Sequence, residues 1–139
     1  MLLNYPKSTV KTVVLHLIQI KMKKIYYLKT CDTCKRIIKS LPSIENIVLH
    51  DIKENPVTVL ELEQMRALSG SYEKLFSKRA KLYKEMGLKD KSLQEVDFKR
   101  YILEHYTFLN RPVMVFDPQI FIGNSAKEVE KAIAYLKNE

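Results

Sequence analysis

The first part of the chain changes between strand-like and helix-like hydrophobic patterns. Residues Lys24 to Leu28 are rich in tyrosine and isoleucine, which predicts a first strand. From Thr33 to Leu41 the apolar residues fall on one side and basic residues on the other, and Pro42 follows. This pattern predicts a helix. The run from Glu45 to His50 predicts a second strand, so these elements make a β-α-β unit.

The middle of the chain, about residues 56–105, has no convincing strand pattern. Thr58 with Glu61, and Ser92 with Glu95, each have the spacing of a capping box. In a capping box these side chains satisfy the unpaired amides of a first helical turn. The middle is therefore predicted to be a helical insertion.

Strand patterns return near the end of the chain. The runs Val113 to Phe116 and Ile120 to Ile122, joined by a short turn, predict a hairpin. Ser125 and Glu128 then have the spacing that caps a last amphipathic helix. The full order is β-α-β, helices, β-β-α. It predicts an α/β, thioredoxin-like three-layer fold with a mixed central sheet and an inserted helical subdomain.

The first 21 residues carry three lysines and no acidic residue. The apolar run from Val13 to Ile20 is too short to span a bilayer, and no signal-peptidase site follows it. Met22 and the two lysines after it are typical of the start of a small domain. We therefore expect residues 1–21 to be an N-terminal extension, upstream of a true start at Met22, and residues 22–139 to form the domain. An extra edge strand is the alternative.

Composition and charge narrow the class of protein. The chain has 139 residues, 46% of them hydrophobic, which suits one globular domain. The formal charge of +8 comes from lysines interleaved with glutamates, without a basic arm or an aromatic-basic pattern. We therefore expect a cytoplasmic monomer that does not bind nucleic acid or membranes directly. Two cysteines are too few for a disulfide scaffold.

The two cysteines, Cys31 and Cys34, have the spacing of a redox pair. Cys31 lies where the first strand gives way to the first helix, and a thiolate is stabilised by the helix N-terminus and by nearby cations such as Lys35. Cys34, one turn further on, is close enough to attack a mixed disulfide on Cys31. The alternatives are two unreactive thiols or half of a zinc site. Zinc needs further ligands, and His50 and His105 are unsuitably spaced, so no metal is expected.

Arg79 is a second candidate site residue. On a continuous helix the apolar residues between Tyr72 and Met86 form a stripe, and Arg79 falls at its centre. A buried arginine must have a partner, because an unpaired buried charge is very costly. Either carbonyls or an acidic residue satisfy it, or the helix is broken near Ser77, or the guanidinium is presented to an anion near Cys31.

Arg111 and Pro112 come directly before a predicted strand. The bond between an arginine and a proline can be cis, and this position would place Arg111 at the mouth of a site beside Cys31.

Taken together, these segments resemble the arsenate reductase (ArsC) and Spx family. The resemblance rests on Tyr26 to Lys35, Lys78-Arg79, Arg111 to Val115 and Ile122-Gly123, and it runs from about Met22 to Leu136. It implies a thioredoxin-like fold with a helical insert and a nucleophile at Cys31. It also implies that Arg79 and Arg111 bind an oxyanion or a disulfide, and that Pro112 is cis.

The chain departs from the arsenate reductases of this family at two places. Tyr27-Leu28-Lys29 replaces a His-Asn-Pro-like stretch, and Asn124 stands where a third arginine is expected. Both departures remove parts of an arsenate site. The Cys-X-X-Cys pair is more similar to that of the Spx-type regulators, in which it forms a redox-sensing disulfide and the domain binds RNA polymerase.

These observations favour a thiol-disulfide oxidoreductase in which Cys31 is the nucleophile and Cys34 resolves the intermediate. The family resemblance implies an arsenate reductase that holds no bound cofactor and takes electrons from glutathione and glutaredoxin, or from thioredoxin. One alternative is an Spx-like regulator that binds RNA polymerase. The other is a glutathione-dependent disulfide reductase with no role in arsenate chemistry.

Overall fold

A four-stranded mixed sheet lies at the centre of the protein, which a computed structural model describes over residues 22–139. The strands are β1 (Lys23–Tyr27), β2 (Ile47–Asp51), β3 (Val113–Phe116) and β4 (Gln119–Ile122). Their order across the sheet is β2-β1-β3-β4. β1 pairs in parallel with β2 and antiparallel with β3, and β3 pairs antiparallel with β4. The predicted mixed sheet is confirmed, and its strands start or end within two residues of the predicted limits.

Helices fill the rest of this part of the chain. They are α1 (Asp32–Ser40), α2 (Val59–Ser69), α3 (Lys81–Glu85), α4 (Glu95–Glu104) and α5 (Ala126–Lys137), with 3-10 turns at Glu73–Leu75, Leu88–Asp90 and Tyr106–Phe108. No helix within residues 22–139 is long and apolar enough to cross a membrane. Residues 1–21, for which the sequence predicts an extension, lie outside the described residues.

The sheet separates two hydrophobic clusters, because neighbouring residues of a strand point to opposite faces. Ile25 and Phe116 pack with α1 and α5 on one face. Tyr26 and Val115 pack with α2, α4 and the 3-10 turns on the other. All four residues of β3 are buried, as expected for a central strand that is covered on both faces. The three-layer arrangement is therefore confirmed.

The first predicted capping box is confirmed. Thr58 caps α2: the amide of Glu61 donates to the Thr58 hydroxyl at 3.1 Å, and the amide of Thr58 donates to the Glu61 carboxylate at 3.0 Å. Ser125 likewise caps α5, since its hydroxyl accepts a hydrogen bond of 3.2 Å from the amide of Glu128.

The second predicted capping box, Ser92 with Glu95, is wrong. The helix begins two residues later, and the carboxylate of Asp97 accepts a hydrogen bond of 2.8 Å from the amide of Gln94. The Glu95 side chain is instead bound to a segment more than 20 residues earlier in the chain. Its carboxylate accepts hydrogen bonds of 2.8 Å from the amide of Tyr72 and 3.0 Å from the amide of Glu73.

The predicted continuous helix from Tyr72 to Met86 is also wrong. A 3-10 turn ends at Leu75, Phe76 adopts an extended backbone, and α3 starts only at Lys81. The helix is broken by contacts with a distant segment. Phe76 forms a β-bridge with Leu109, and the amide of Ser77 donates to the carbonyl of Phe108 at 2.7 Å. The helix is therefore interrupted near Ser77, which is one of the alternatives that the sequence leaves open for this segment.

Candidate active site

Cys31 is the N-cap residue of α1. Its backbone is extended, and its Sγ accepts a hydrogen bond of 3.4 Å from the amide of Cys34. The amide of Cys31 donates to the carbonyl of Leu28 at 3.1 Å, which closes the turn that follows β1. The sulfur is half-buried and faces the unpaired amides of a helix N-terminus, where a negative charge is stabilised. The strand-to-helix position predicted for Cys31 is what the structure shows.

Cys34 lies within α1 and is fully buried. Burial raises the pKa of its thiol to about 11; the neighbouring Cys31 adds to this, while hydrogen bonding to the backbone at Leu28 and the charge of Arg111 oppose it. At neutral pH the thiol of Cys34 is therefore protonated. Both cysteines are free thiols. Within residues 22–139 no group of three or more histidine, cysteine or acidic side chains is placed to hold a metal ion.

An open cleft of about 650 Å³ lies beside Cys31, and we call it the thiol cleft. Arg79 and Arg111 both line it, together with Asn110 and Asn124. Residues that are 80 positions apart in the chain thus meet at one site. The structure brings together Cys31 and the two arginines that the sequence singled out.

The local structure around Arg79 differs from the prediction, although Arg79 does line the thiol cleft. The expectation of an inward-pointing arginine on a helix is wrong, because Arg79 is exposed and lies in the turn before α3. Arg111 is half-buried and is followed by a cis peptide bond to Pro112, as the family resemblance implied.

The charges in the thiol cleft are unbalanced. Among the described residues, neither Arg79 nor Arg111 has a carboxylate within 4.0 Å. The one acidic residue of the described chain that lines the cleft is Glu73, and its carboxylate is already paired with Lys78 at 3.1 Å. Two guanidinium groups beside a thiol therefore lack a counterion, which is an arrangement that suits an anionic ligand.

Asn110 fixes the position of the cleft wall, although nothing in the sequence singled it out. Its side-chain amide donates to the carbonyls of Lys74 and Phe76 at 3.0 and 3.2 Å, and its backbone amide donates to the carbonyl of Leu75 at 2.8 Å. An asparagine amide has two hydrogens and can bind two carbonyls at once. The segment before Arg79 is thereby held next to the segment before Arg111. No local pattern of residues indicates partners so far away.

Two other predicted site residues lie outside the lining of the thiol cleft. Lys35 is exposed, and its Nζ is 4.0 Å from the Asp32 carboxylate. Pro112 is buried, and its carbonyl accepts a hydrogen bond of 2.9 Å from the amide of Gly123, whose φ of 90° suits glycine. Pro112 thus supports the turn that carries Asn124 into the cleft.

The family of this chain is shown by its sequence. The sequence model of the ArsC family matches residues 26–132, and the chain belongs to that family. Among its relatives is the global transcriptional regulator Spx of Bacillus subtilis (strain 168), which is 23% identical over 112 residues, or 79% of this chain and 86% of the regulator.

Solved structures agree with this assignment. A putative ArsC family related protein from Bacteroides fragilis matches with a TM-score of 0.67 and 26% identity, covering 79% of this chain and 96% of that protein. An arsenate reductase from Vibrio cholerae matches with a TM-score of 0.65 and 22% identity, covering 78% and 95%. The predicted family and the thioredoxin-like α/β fold are therefore confirmed. The relatives include a reductase and a regulator, so membership of the family does not by itself define the activity.

Proposed function

We propose that this protein is a thiol-dependent oxidoreductase that acts on an anionic substrate, with arsenate as the first candidate. The observation that carries the proposal is the thiol cleft, which Cys31 lines together with two arginines that have no carboxylate partner among residues 22–139. Cys31 is the nucleophile of this mechanism, and Arg79 and Arg111 hold the anion through charge-assisted hydrogen bonds.

In the first step the Cys31 thiolate attacks arsenate, a sulfur-arsenic bond forms, and one arsenate oxygen leaves as water after protonation. Cys34 does not compete for this step because its pKa of about 11 keeps it protonated. In the second step the Cys34 sulfur loses its proton and attacks Cys31. The disulfide forms, the electron pair of the sulfur-arsenic bond stays on arsenic, and arsenite leaves. Two thiols have then been oxidised and As(V) reduced to As(III).

The same geometry serves a disulfide substrate. The Cys31 thiolate then attacks a glutathione mixed disulfide, the substrate thiol leaves, and either Cys34 or a second glutathione resolves the new mixed disulfide. Where Cys34 resolves the intermediate, glutathione with glutaredoxin, or thioredoxin, reduces the Cys31-Cys34 disulfide; where a second glutathione resolves it, Cys31 leaves as a thiol and oxidised glutathione is released. Asn124 lines the cleft where the family resemblance places a third arginine, so only two guanidinium groups of the described chain are available to the anion.

The direct test is arsenite formation in the presence of glutathione and glutaredoxin. We expect the Cys31→Ser variant to lose activity by a factor of roughly 1000 or more, since removing a nucleophile abolishes the covalent route. Cys34→Ser is the matched control, and it separates resolution by Cys34 from resolution by glutathione. If the wild-type protein makes no more arsenite than Cys31→Ser, arsenate is not the substrate, and turnover of a glutathionylated peptide then tests the disulfide reductase.

A redox-sensing regulator is the second candidate, because relatives such as the Bacillus subtilis protein are named global transcriptional regulators. In this function the Cys31-Cys34 pair switches between thiol and disulfide and controls binding of RNA polymerase. A pull-down from lysate with the protein in each redox state tests it. If RNA polymerase is retained in only one of the two redox states, the regulator is supported. If it is retained in neither state, the regulator hypothesis is excluded.

A further inference from the structure

A second, smaller cleft adjoins the thiol cleft. It has a volume of about 170 Å³, and three lysines line it: Lys78, Lys89 and Lys91. We call it the lysine cleft. Glu73 and Lys78 line both clefts, so the two share the wall that this ion pair forms.

The charge of the lysine cleft is only partly neutralised. Glu73 is the only acidic residue of the described chain that lines it, and its carboxylate is 3.1 Å from Lys78. Neither Lys89 nor Lys91 has a carboxylate within 4.0 Å among residues 22–139. Asp90 lies between them in the chain but does not line the cleft. Two positive charges are left for a ligand.

The two lysines are carried by an anchored segment. Leu88, at the start of the 3-10 turn Leu88–Asp90, is fully buried, and Phe98 of α4 packs below as another buried lining residue. The amide of Lys91 donates to the carbonyl of Leu88 at 3.1 Å, which closes the turn. Gly87 precedes it with a φ of 62°, a conformation that glycine adopts without strain. The backbone that carries Lys89 and Lys91 is therefore anchored to the core, while both side chains are exposed.

We propose that the lysine cleft is a second anion subsite, which binds an aspartate or glutamate side chain of a protein substrate whose reactive sulfur lies at Cys31. The inference rests on the disulfide-reductase form of the proposed function, and it adds the substrate class, an acidic polypeptide. A nucleic acid fits less well, because the chain has no basic arm and no aromatic-basic pattern. Two lysines without carboxylate partners among the described residues suit separated acidic side chains.

Binding of a short glutamate-rich peptide without cysteine, followed by fluorescence anisotropy, tests the subsite apart from the chemistry. We expect Lys89→Glu/Lys91→Glu to weaken this binding by about tenfold and to improve binding of the lysine-rich analogue, because the sign of the local field is reversed. The matched control is Lys39→Glu/Lys137→Glu, which makes the same change of charge in the last turns of α1 and α5. Thermal melting shows that each variant is folded.

A second measurement tests whether the subsite affects turnover. We expect kcat/KM for a mixed disulfide of the acidic peptide to fall by about tenfold in Lys89→Glu/Lys91→Glu, and kcat/KM for a neutral peptide disulfide to stay unchanged. Equal losses in the control variant overturn the proposal, and so does tighter binding of a uridine oligomer than of the acidic peptide. If no disulfide is turned over but peptide binding still depends on Lys89 and Lys91, the disulfide-reductase function fails while the anion subsite stands.

Discussion

Two groups of polar and charged side chains flank β1, one near its start and one beyond its end. Near the start, the Glu61 carboxylate lies 2.7 Å from Lys24 Nζ and accepts a hydrogen bond of 3.1 Å from the Tyr26 hydroxyl. His50 Nδ1 is 3.6 Å away from the same carboxylate. Beyond the end of β1, Arg79 and Arg111 face the thiol cleft with no acidic partner among the described residues. The charges of the first group, which we call the glutamate cluster, are paired with one another; the arginines of the second group have no such partner among the described residues.

The pKa values in the glutamate cluster follow from this pairing. Burial raises the pKa of Glu61, but hydrogen bonds from Lys24 and Thr58 outweigh it and lower the pKa to about 2. Burial, together with the adjacent Glu61 charge, raises the pKa of Tyr26. The cluster therefore ties the first turn of α2 to β1 and the tyrosine stays neutral. The comparison teaches that the charges of the glutamate cluster are paired within the protein, whereas the two arginines of the thiol cleft remain available to the anion of the proposed function.

The largest effect is expected in the reactivity of Cys34. In a Cys31→Ser variant, alkylation of Cys34 by iodoacetamide at pH 7 should be slower than that of an unstructured peptide thiol, on the order of 100-fold, because burial, the largest cause of its raised pKa, remains after Cys31 is replaced and leaves little thiolate. The rate should rise about tenfold per pH unit and level off only above the pKa of a free thiol. The same variant in urea is the control. A plateau near the pKa of a free thiol would show that burial does not protect Cys34.

Next in size is the loss of anion affinity when the arginines are removed. Arg79→Ala and Arg111→Ala should each raise the Kd for arsenate by roughly 10- to 100-fold, since a hydrogen bond to a charged group contributes about 1.5–3 kcal/mol. Calorimetric titration of the Cys31→Ser protein measures binding without turnover. Arg36→Ala, on the exposed part of α1, is the matched control. An unchanged Kd for arsenate in both Arg79→Ala and Arg111→Ala would show that these arginines act as ordinary surface charges and do not bind the anion.

The smallest effect is expected for the glutamate cluster. Glu61→Gln should lower the free energy of unfolding by about 1–2 kcal/mol at pH 7 and leave anion affinity unchanged. Because the folded pKa of about 2 lies below the ordinary value of 4.5, the carboxylate stabilises the fold above about pH 4.5. The advantage of the wild-type protein over the Glu61→Gln variant disappears as the pH falls from 4.5 to about 2.

Urea unfolding at several pH values measures the difference. Glu63→Gln is the matched control, since Glu63 lies on the same helix, is half exposed, and pairs only with Lys99 at 3.5 Å among the described residues. A pH-independent difference for Glu61→Gln would mean that the residue acts through packing.

The parts of the fold that the sequence predicted well are those with local signals. β3 is a continuous apolar run, so its limits, Val113 to Phe116, agree with the prediction. Cys31 caps α1 because a short strand, a turn and an amphipathic segment follow each other directly. The cap at Thr58 likewise depends on residues within one helical turn.

The errors came from contacts between distant segments. The apolar spacing from Tyr72 onward suits a helix, but Phe76 stacks on Phe108 and pairs with Leu109, which breaks the helix. The apolar spacing predicts Arg79 on a continuous helix that the protein does not form, yet the break in that helix places Arg79 in the thiol cleft. Asn110 was missed because its partners lie 34 and 36 residues earlier.

The contacts of Asn110 also bear on how this domain can change. They join the two ends of the excursion from Lys78 to Thr107 and hold them at the cleft, so that this excursion is a closed loop in three dimensions. Lengthening its helices or exchanging their exposed faces leaves the anchored ends, and hence both arginines, in place. If the proposed function holds, changes in this excursion can alter partner binding while the thiol cleft keeps Cys31 and its two arginines together.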